Sequence, residues 1–223
     1  MRSLRVVLAG CVLAGSLAGC ADPEPVPDPV LVWVDGEPDG PLESDPWVRA
    51  VRAAELAAVL ALNSGDFARE DLAATWHPST IDKFADEVGY AARDDEAEVF
   101  LGPWPFTPLL VEVADDGRKA EVVGCSDAYE KVQEVPRSDG IRWPTVTVHY
   151  LDLGTDGQPR LFGGGSPVED YILPDGALLT PEYCDTVPIA RGVLDPPPDL
   201  EVLKAKSRDD IILPPSPSPT GAG

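Results

Sequence analysis

Histidine is nearly missing from this sequence: only His77 and His149 occur in 223 residues. No Cys-x-x-Cys pair is present either. A zinc site would therefore need an unusual ligand set, and a dithiol redox centre has no motif to stand on. Positive charge is scarce as well, with 17 Lys and Arg against 39 Asp and Glu for a net charge of −22. Two of the basic residues, Arg2 and Arg5, lie at the extreme N-terminus, so the rest of the chain is more acidic still. Such a field repels phosphate backbones and anionic headgroups, which argues against nucleic acid as a partner. Internal repeats are lacking, and the apolar run Val6 to Gly19 is too short to span a bilayer as a helix.

What that run does have is the layout of a signal peptide: a short basic start, an apolar stretch, and Leu17-Ala18-Gly19-Cys20 at its end. This tetrapeptide resembles the bacterial lipobox. Small residues at 18 and 19 suit a peptidase that needs narrow side chains beside the cut, and the Cys20 thiol would take the diacylglyceryl group. A second match, Leu8-Ala9-Gly10-Cys11, leaves only about six apolar residues before its cysteine, short of a normal signal core. It would also leave Val12 to Gly19 attached to the mature chain. Cys20 is followed at once by the polar Ala-Asp-Pro-Glu-Pro. The expectation is a lipoprotein on the extracytoplasmic side of the cell membrane, held durably by acyl chains that include palmitate-type groups.

Cys125 and Cys184 then remain, and in an exported protein two left-over cysteines most simply pair. The bridge would close a loop of about 60 residues, worth roughly 4 kcal/mol by chain-entropy reasoning.

The chain divides into a signal peptide over residues 1–19, a lipidated cysteine and Pro-rich spacer over 20–45, an α+β domain over 46–195 and a Pro-rich tail, expected to be disordered, over 196–223. Within the spacer, Val30-Leu31-Val32-Trp33-Val34 is continuously apolar and is expected to dock on the domain as a strand or clip, a contact with the membrane surface being the alternative. Asp45-Pro46 reads as an N-cap and first helical residue. Trp47, Val51, Ala54, Ala58 and Leu62 line one stripe with Val48 and Val59, while Arg49, Arg52 and Glu55 mark the other face, up to a Gly65 C-cap. Helices over Arg69 to Trp76 and from Pro78 follow. After Glu98 the period changes to two, with hairpin turns at Asp115-Asp116-Gly117 and Gly154-Thr155-Asp156-Gly157. Helices first and antiparallel strands after make the expected fold class α+β: N-terminal helices packed on a curved antiparallel sheet, a cone-shaped roll.

Glu55-Leu56-Ala57 through Ala61-Leu62-Asn63-Ser64-Gly65-Asp66-Phe67 resembles the first helix and turn of the nuclear transport factor 2-like superfamily, which includes ketosteroid isomerases, polyketide cyclases and non-enzymatic binding domains. Gly124-Cys125-Ser126-Asp127 is similar to a strand end in exported lipoproteins of high-GC Gram-positive bacteria. The resemblance covers residues 46 to about 165 in element order. It implies a curved sheet wrapped around a long helix, leaving a cone-shaped cavity.

An isomerase in such a cone needs a carboxylate base and acidic oxyanion donors. The candidates are Asp127, Tyr150, Asp152 and His149. His149 and Tyr150 are strand neighbours and point to opposite faces. Tyr150 shares the Val146/Val148 row and is taken as the cavity-lining residue, with His149 an ordinary residue of the other face. Trp104, in the stiff loop Gly102-Pro103-Trp104-Pro105-Phe106, and Trp143 are further candidate cavity-lining residues. Spacing singles out no catalytic residue. The acidic loop from Asp152 fails as a calcium site at Gly154 and Gly163, and Gly163-Gly164-Gly165 lacks the lysine and helix of a phosphate loop. No metal or cofactor is therefore expected. The sequence reading is a domain that binds a small apolar ligand or an envelope protein without catalysis, the alternative being an isomerase- or cyclase-like enzyme.

Overall fold

The structure is a computed structural model that describes residues 28–93, 98–127, 131–132 and 144–214. Cys20 and the leader lie outside the described residues, as does Trp143. None of the described helices is long and apolar enough to cross a membrane.

The chain is α+β. The apolar clip forms a strand, β1 (Val30–Trp33). Just ahead of it, Asp28 accepts two hydrogen bonds from the Arg69 guanidinium, at 2.9 and 2.8 Å. Helix α1 (Pro46–Ser64) starts as its sequence dictates: the Asp45 side chain accepts from the Trp47 N–H at 2.8 Å, and Pro46 occupies the first turn. Gly65 ends it in the left-handed conformation at φ 65°, returning its N–H to the Ala61 carbonyl. Helices α2 (Glu70–Thr75) and α3 (Pro78–Arg93) follow.

Strands β2 (Val99–Phe100) and β5 (Lys131–Val132) form one antiparallel pair. Between and after them run β3 (Phe106–Val113), β4 (Lys119–Ser126), β6 (Thr145–Leu153) and β7 (Pro159–Gly165). These last four make an antiparallel sheet in the order β3-β4-β6-β7, with the two expected hairpins closing it. Gly117 sits at φ 66° in the first turn and Gly157 at φ 76° in the second, positions that suit a residue without Cβ. In β7, Tyr150 pairs with Gly163 but Leu151 pairs with Leu161, so Phe162 is the extra residue of a bulge.

Both faces of this sheet are covered. On one lies the main core, where Val51, Ala54 and Ala58 of α1 meet Ala120, Val122, Leu151 and Leu161. On the other, the segment after β7 folds back as a small turn of structure around Tyr171, Leu173 and Leu179, then α4 (Pro181–Cys184). There Cys125 and Cys184 form the expected disulfide, both fully buried. Strand β8 (Gly192–Asp195) pairs antiparallel with β1, which places the clip on the domain as expected.

The end of the chain departs from the reading of 196–223 as a disordered tail. Residues up to 214 are described and fold onto the domain through α5 (Leu200–Lys204) and a 3₁₀ turn, Arg208–Asp210. Leu203 and Ile211 are buried, and Ile212 exchanges backbone hydrogen bonds with Gly65 and Phe67. The prolines at 196–198 and from 214 onward flank this stretch but do not occupy it. Burial of Leu203 and Ile211, with Leu200 half-buried and Ile212 bonded through its backbone, orders the chain between them.

Candidate functional site

A cavity of about 430 Å³ opens between α1, α3 and the helix-facing side of β6 and β7. This is within the size range of small-molecule sites. Trp76, Phe84, Phe100 and Trp104 contribute to its wall. Their positions are built locally. The Trp76 indole N–H donates to the Ala54 carbonyl at 2.7 Å, and its ring meets Phe84 edge-on at 4.9 Å. Asn63 clamps the Phe100 backbone with two 2.8 Å hydrogen bonds. The Trp104 indole N–H donates to the Asp127 carbonyl at 2.8 Å, which ties its loop to the end of β4.

Glu55 of α1 and His149 of β6 lie at the floor of the cavity. Glu55 is 6 % exposed and His149 2 %. The His149 Nε2 is 3.4 Å from a Glu55 carboxylate oxygen, within ion-pair range but without hydrogen-bond geometry. Neither ring nitrogen of His149 has a hydrogen-bond partner among the described residues. The ring packs edge-on against Phe106 at 4.5 Å. Next to it Gly164 leaves room the imidazole needs: a Cβ there would meet the Val148 carbonyl at 2.9 Å and the His149 ring at 3.4 Å.

Two expectations are corrected here. Tyr150 does not line this cavity. It faces the opposite side of the sheet with Val146 and Val148, beside the disulfide cluster, and stacks on Phe162 at 5.8 Å. Its neighbour His149 takes the inward position. Apolarity alone would turn the Val146/Val148 row toward the helices, but both faces of the sheet are covered, so both rows are buried and apolarity does not choose between them. Glu55 is likewise not on the polar face of α1. It falls four residues after Val51 and four before Val59, which is the spacing of one helical face, and that signal was present in the sequence.

The remaining candidates are held in structural contacts. Asp127 is buried, with Arg191 at 3.5 Å. Asp152 pairs in register with Lys119 and Arg160 across the sheet. His77 is exposed and binds the Ser79 hydroxyl at 2.8 Å at the start of α3. On the far face of the sheet, the Tyr171 hydroxyl donates to the Glu121 carboxylate. Burial pushes the Tyr171 phenol well above its ordinary value, and the hydrogen bond to Glu121 adds to this. The Tyr150 phenol is raised too, by burial first and then by Glu121 and Glu169. Among the described residues, no three His, Cys, Asp or Glu side chains converge as a metal site.

The arrangement can do two things chemically. Its aromatic wall can remove an apolar body from water, and its buried carboxylate and imidazole can exchange hydrogen bonds or a proton with whatever enters. No family model matches this chain, no curated protein matches it, and no solved structure matches it.

Proposed function

We propose that this chain is an extracytoplasmic lipoprotein, anchored to the cell membrane through Cys20, whose domain binds a small, largely apolar molecule without turning it over. The observation that carries the binding reading is the cavity of about 430 Å³, open and aromatic-walled rather than packed shut. A partner-docking domain has no need of such a space, which is why small-ligand binding is preferred here to capture of an envelope protein. The lipobox residues Leu17-Ala18-Gly19-Cys20 support the anchor, and the Pro-rich residues 21–27 supply a polar tether before Asp28 docks. The resemblance to nuclear transport factor 2-like domains agrees with helices over one face of a sheet and a cavity between them.

A second reading, an isomerase- or cyclase-like enzyme in the same cavity, is favoured by one observation: the buried Glu55 carboxylate beside the His149 imidazole. A carboxylate and an imidazole in contact can share proton transfer. The binding reading is preferred because Trp76, Phe84, Phe100, Trp104 and Phe162 give the cavity a broad aromatic wall.

The test has two arms. Cys20→Ala should abolish labelling by palmitate and release the protein from the membrane fraction, whereas Cys11→Ala should leave both unchanged; the reverse pattern overturns the assignment of the anchor. The chain is then incubated with steroid enones and polyketide-like substrates. Turnover that disappears in Glu55→Gln overturns the binding reading and promotes the enzyme.

A further inference from the structure

We infer that the cavity takes a neutral molecule with a hydroxyl on an apolar body, the hydroxyl seated on the His149 imidazole; this rests on the binding reading above and names the chemical class that the site selects. The floor supplies the reason. His149 is 2 % exposed, and neither of its ring nitrogens has a hydrogen-bond partner among the described residues. The other polar groups set into the wall are used: the Thr80 hydroxyl donates to the Phe162 carbonyl at 2.9 Å, and the Trp76 indole N–H to the Ala54 carbonyl. Among the described residues, the buried side-chain polar atoms of the lining that lack a partner are both on the His149 ring. Buried polar groups in folded proteins are nearly all hydrogen-bonded, so this ring is short of a partner that the cavity can admit. Access to it is built in. Across the β6–β7 ladder His149 stands opposite Gly164, which also lines the cavity. Opposed residues share a face of the sheet, and a glycine there sets no side chain of β7 over the ring.

The chemistry of that partner follows from the ring and its depth. A hydroxyl accepts from a ring N–H or donates to a bare ring nitrogen, so it pairs with an imidazole in either tautomer. A ketone or an ether only accepts and serves the N–H alone. A hydrocarbon would fill the volume and leave the ring unpaired. A charged head is disfavoured at this depth, because desolvating an ion costs far more than desolvating a hydroxyl unless a counter-charge receives it. The nearest charged group, Glu55, is already engaged. An anion would also sit against the Glu55 carboxylate, whose oxygen lies 3.4 Å from Nε2, where like-charge repulsion is poorly screened. Ala58, Leu62, Trp76 and Phe84 give the rest of the molecule an apolar wall.

Two probes of one shape test this: 4-propylphenol and 4-propyltoluene, which differ by a hydroxyl in place of a methyl. Their affinities for the full chain in detergent are measured by calorimetry, with detergent alone as the blank. His149→Leu should weaken 4-propylphenol about tenfold relative to 4-propyltoluene, the effect of losing one hydrogen bond to a buried partner. A second readout needs no variant and decides the matter if His149→Leu does not fold. The chain has only two histidines, and His77 is exposed, so labelling histidine with nitrogen-15 gives one buried and one exposed ring to follow by NMR. Bound 4-propylphenol should shift the His149 ring nitrogens well beyond what 4-propyltoluene does, and leave His77 in place. Two probes that bind with a ratio unchanged by His149→Leu, or 4-propylphenol bound with the His149 nitrogens unmoved, overturn the inference while the binding reading stands. Binding of neither probe overturns both.

Discussion

The Nε2 atom of His149, in the middle of β6, lies 3.4 Å from the carboxylate of Glu55, in the middle of α1. The two residues are 94 positions apart in the chain and meet only because the sheet packs across the helix. The contact carries no hydrogen bond, and the imidazole finds none elsewhere among the described residues. Sites kept for function commonly violate a packing rule that the rest of the fold obeys.

That violation gives a first prediction. If His149 is retained for a ligand, His149→Leu should raise stability by about 1 kcal/mol in urea unfolding, because an unsatisfied buried polar group is replaced by an apolar one of similar size. A loss of 2 kcal/mol or more would instead make the Glu55–His149 contact a structural one.

Tyr171 links stability to alkaline pH. Its phenol is raised above its ordinary value by burial and by Glu121, so the folded state holds the proton more tightly than the unfolded chain. The associated stability is complete below the unfolded phenol value of about 10 and falls as pH climbs above it. Tyr171→Phe should cost about 1.5–3 kcal/mol at neutral pH by removing the hydrogen bond to the Glu121 carboxylate, and should flatten the fall in stability above that pH. Unfolding curves across the alkaline range check both; an unchanged alkaline slope would show that another group titrates.

The Cys125–Cys184 bridge ties β4 to α4 across the covered far face of the sheet. Mass spectrometry of the non-reduced protein should recover the two cysteines in one linked peptide pair. The double variant Cys125→Ala/Cys184→Ala should lose roughly 4 kcal/mol. Two thiols that alkylate without denaturant would contradict this.

The clip should show a side-to-side difference. Along β1, Leu31 and Trp33 turn toward the domain while Val30 and Val32 face outward. Deleting residues 30–34 should cost a few kcal/mol, since large apolar side chains contribute about 1.5–3 kcal/mol each when fully buried. Leu31→Ala should account for much of it and Val32→Ala for almost none. Equal effects at the two positions would mean that β1 does not pair with β8 in the register observed.

Ile211 should behave as a core residue despite lying twelve positions before Gly223. Its side chain packs against the first turn after α1, and Ile211→Ala should cost about 2–3 kcal/mol. Truncation after Pro198 should cost more. A truncated chain with an unchanged melting temperature would return this segment to the status of a tail.

The sequence alone determined the elements whose signals are local. Asp45-Pro46 and Gly65 mark both ends of α1 because capping depends on residues within one turn. The Asp-Asp-Gly and Thr-Asp-Gly turns place both hairpins because a positive φ selects glycine there. The Cys125–Cys184 pairing was legible by elimination. Which side of the sheet holds the site was decided by the tertiary structure. Alternation along β6 separates His149 from Tyr150 but cannot say which faces the helices once the segment around Tyr171 and Cys184 buries the other face as well. Glu55 was misplaced for a related reason: a carboxylate reads as solvent-facing, and only the packing of the sheet across α1, with His149 94 residues away, buries it. The ordering of residues 199–214 was also a tertiary decision. A short helix with proline-rich flanks has no local stability of its own; the chain beside Gly65 and Phe67 gives Ile211 somewhere to be buried and takes the backbone hydrogen bonds of Ile212.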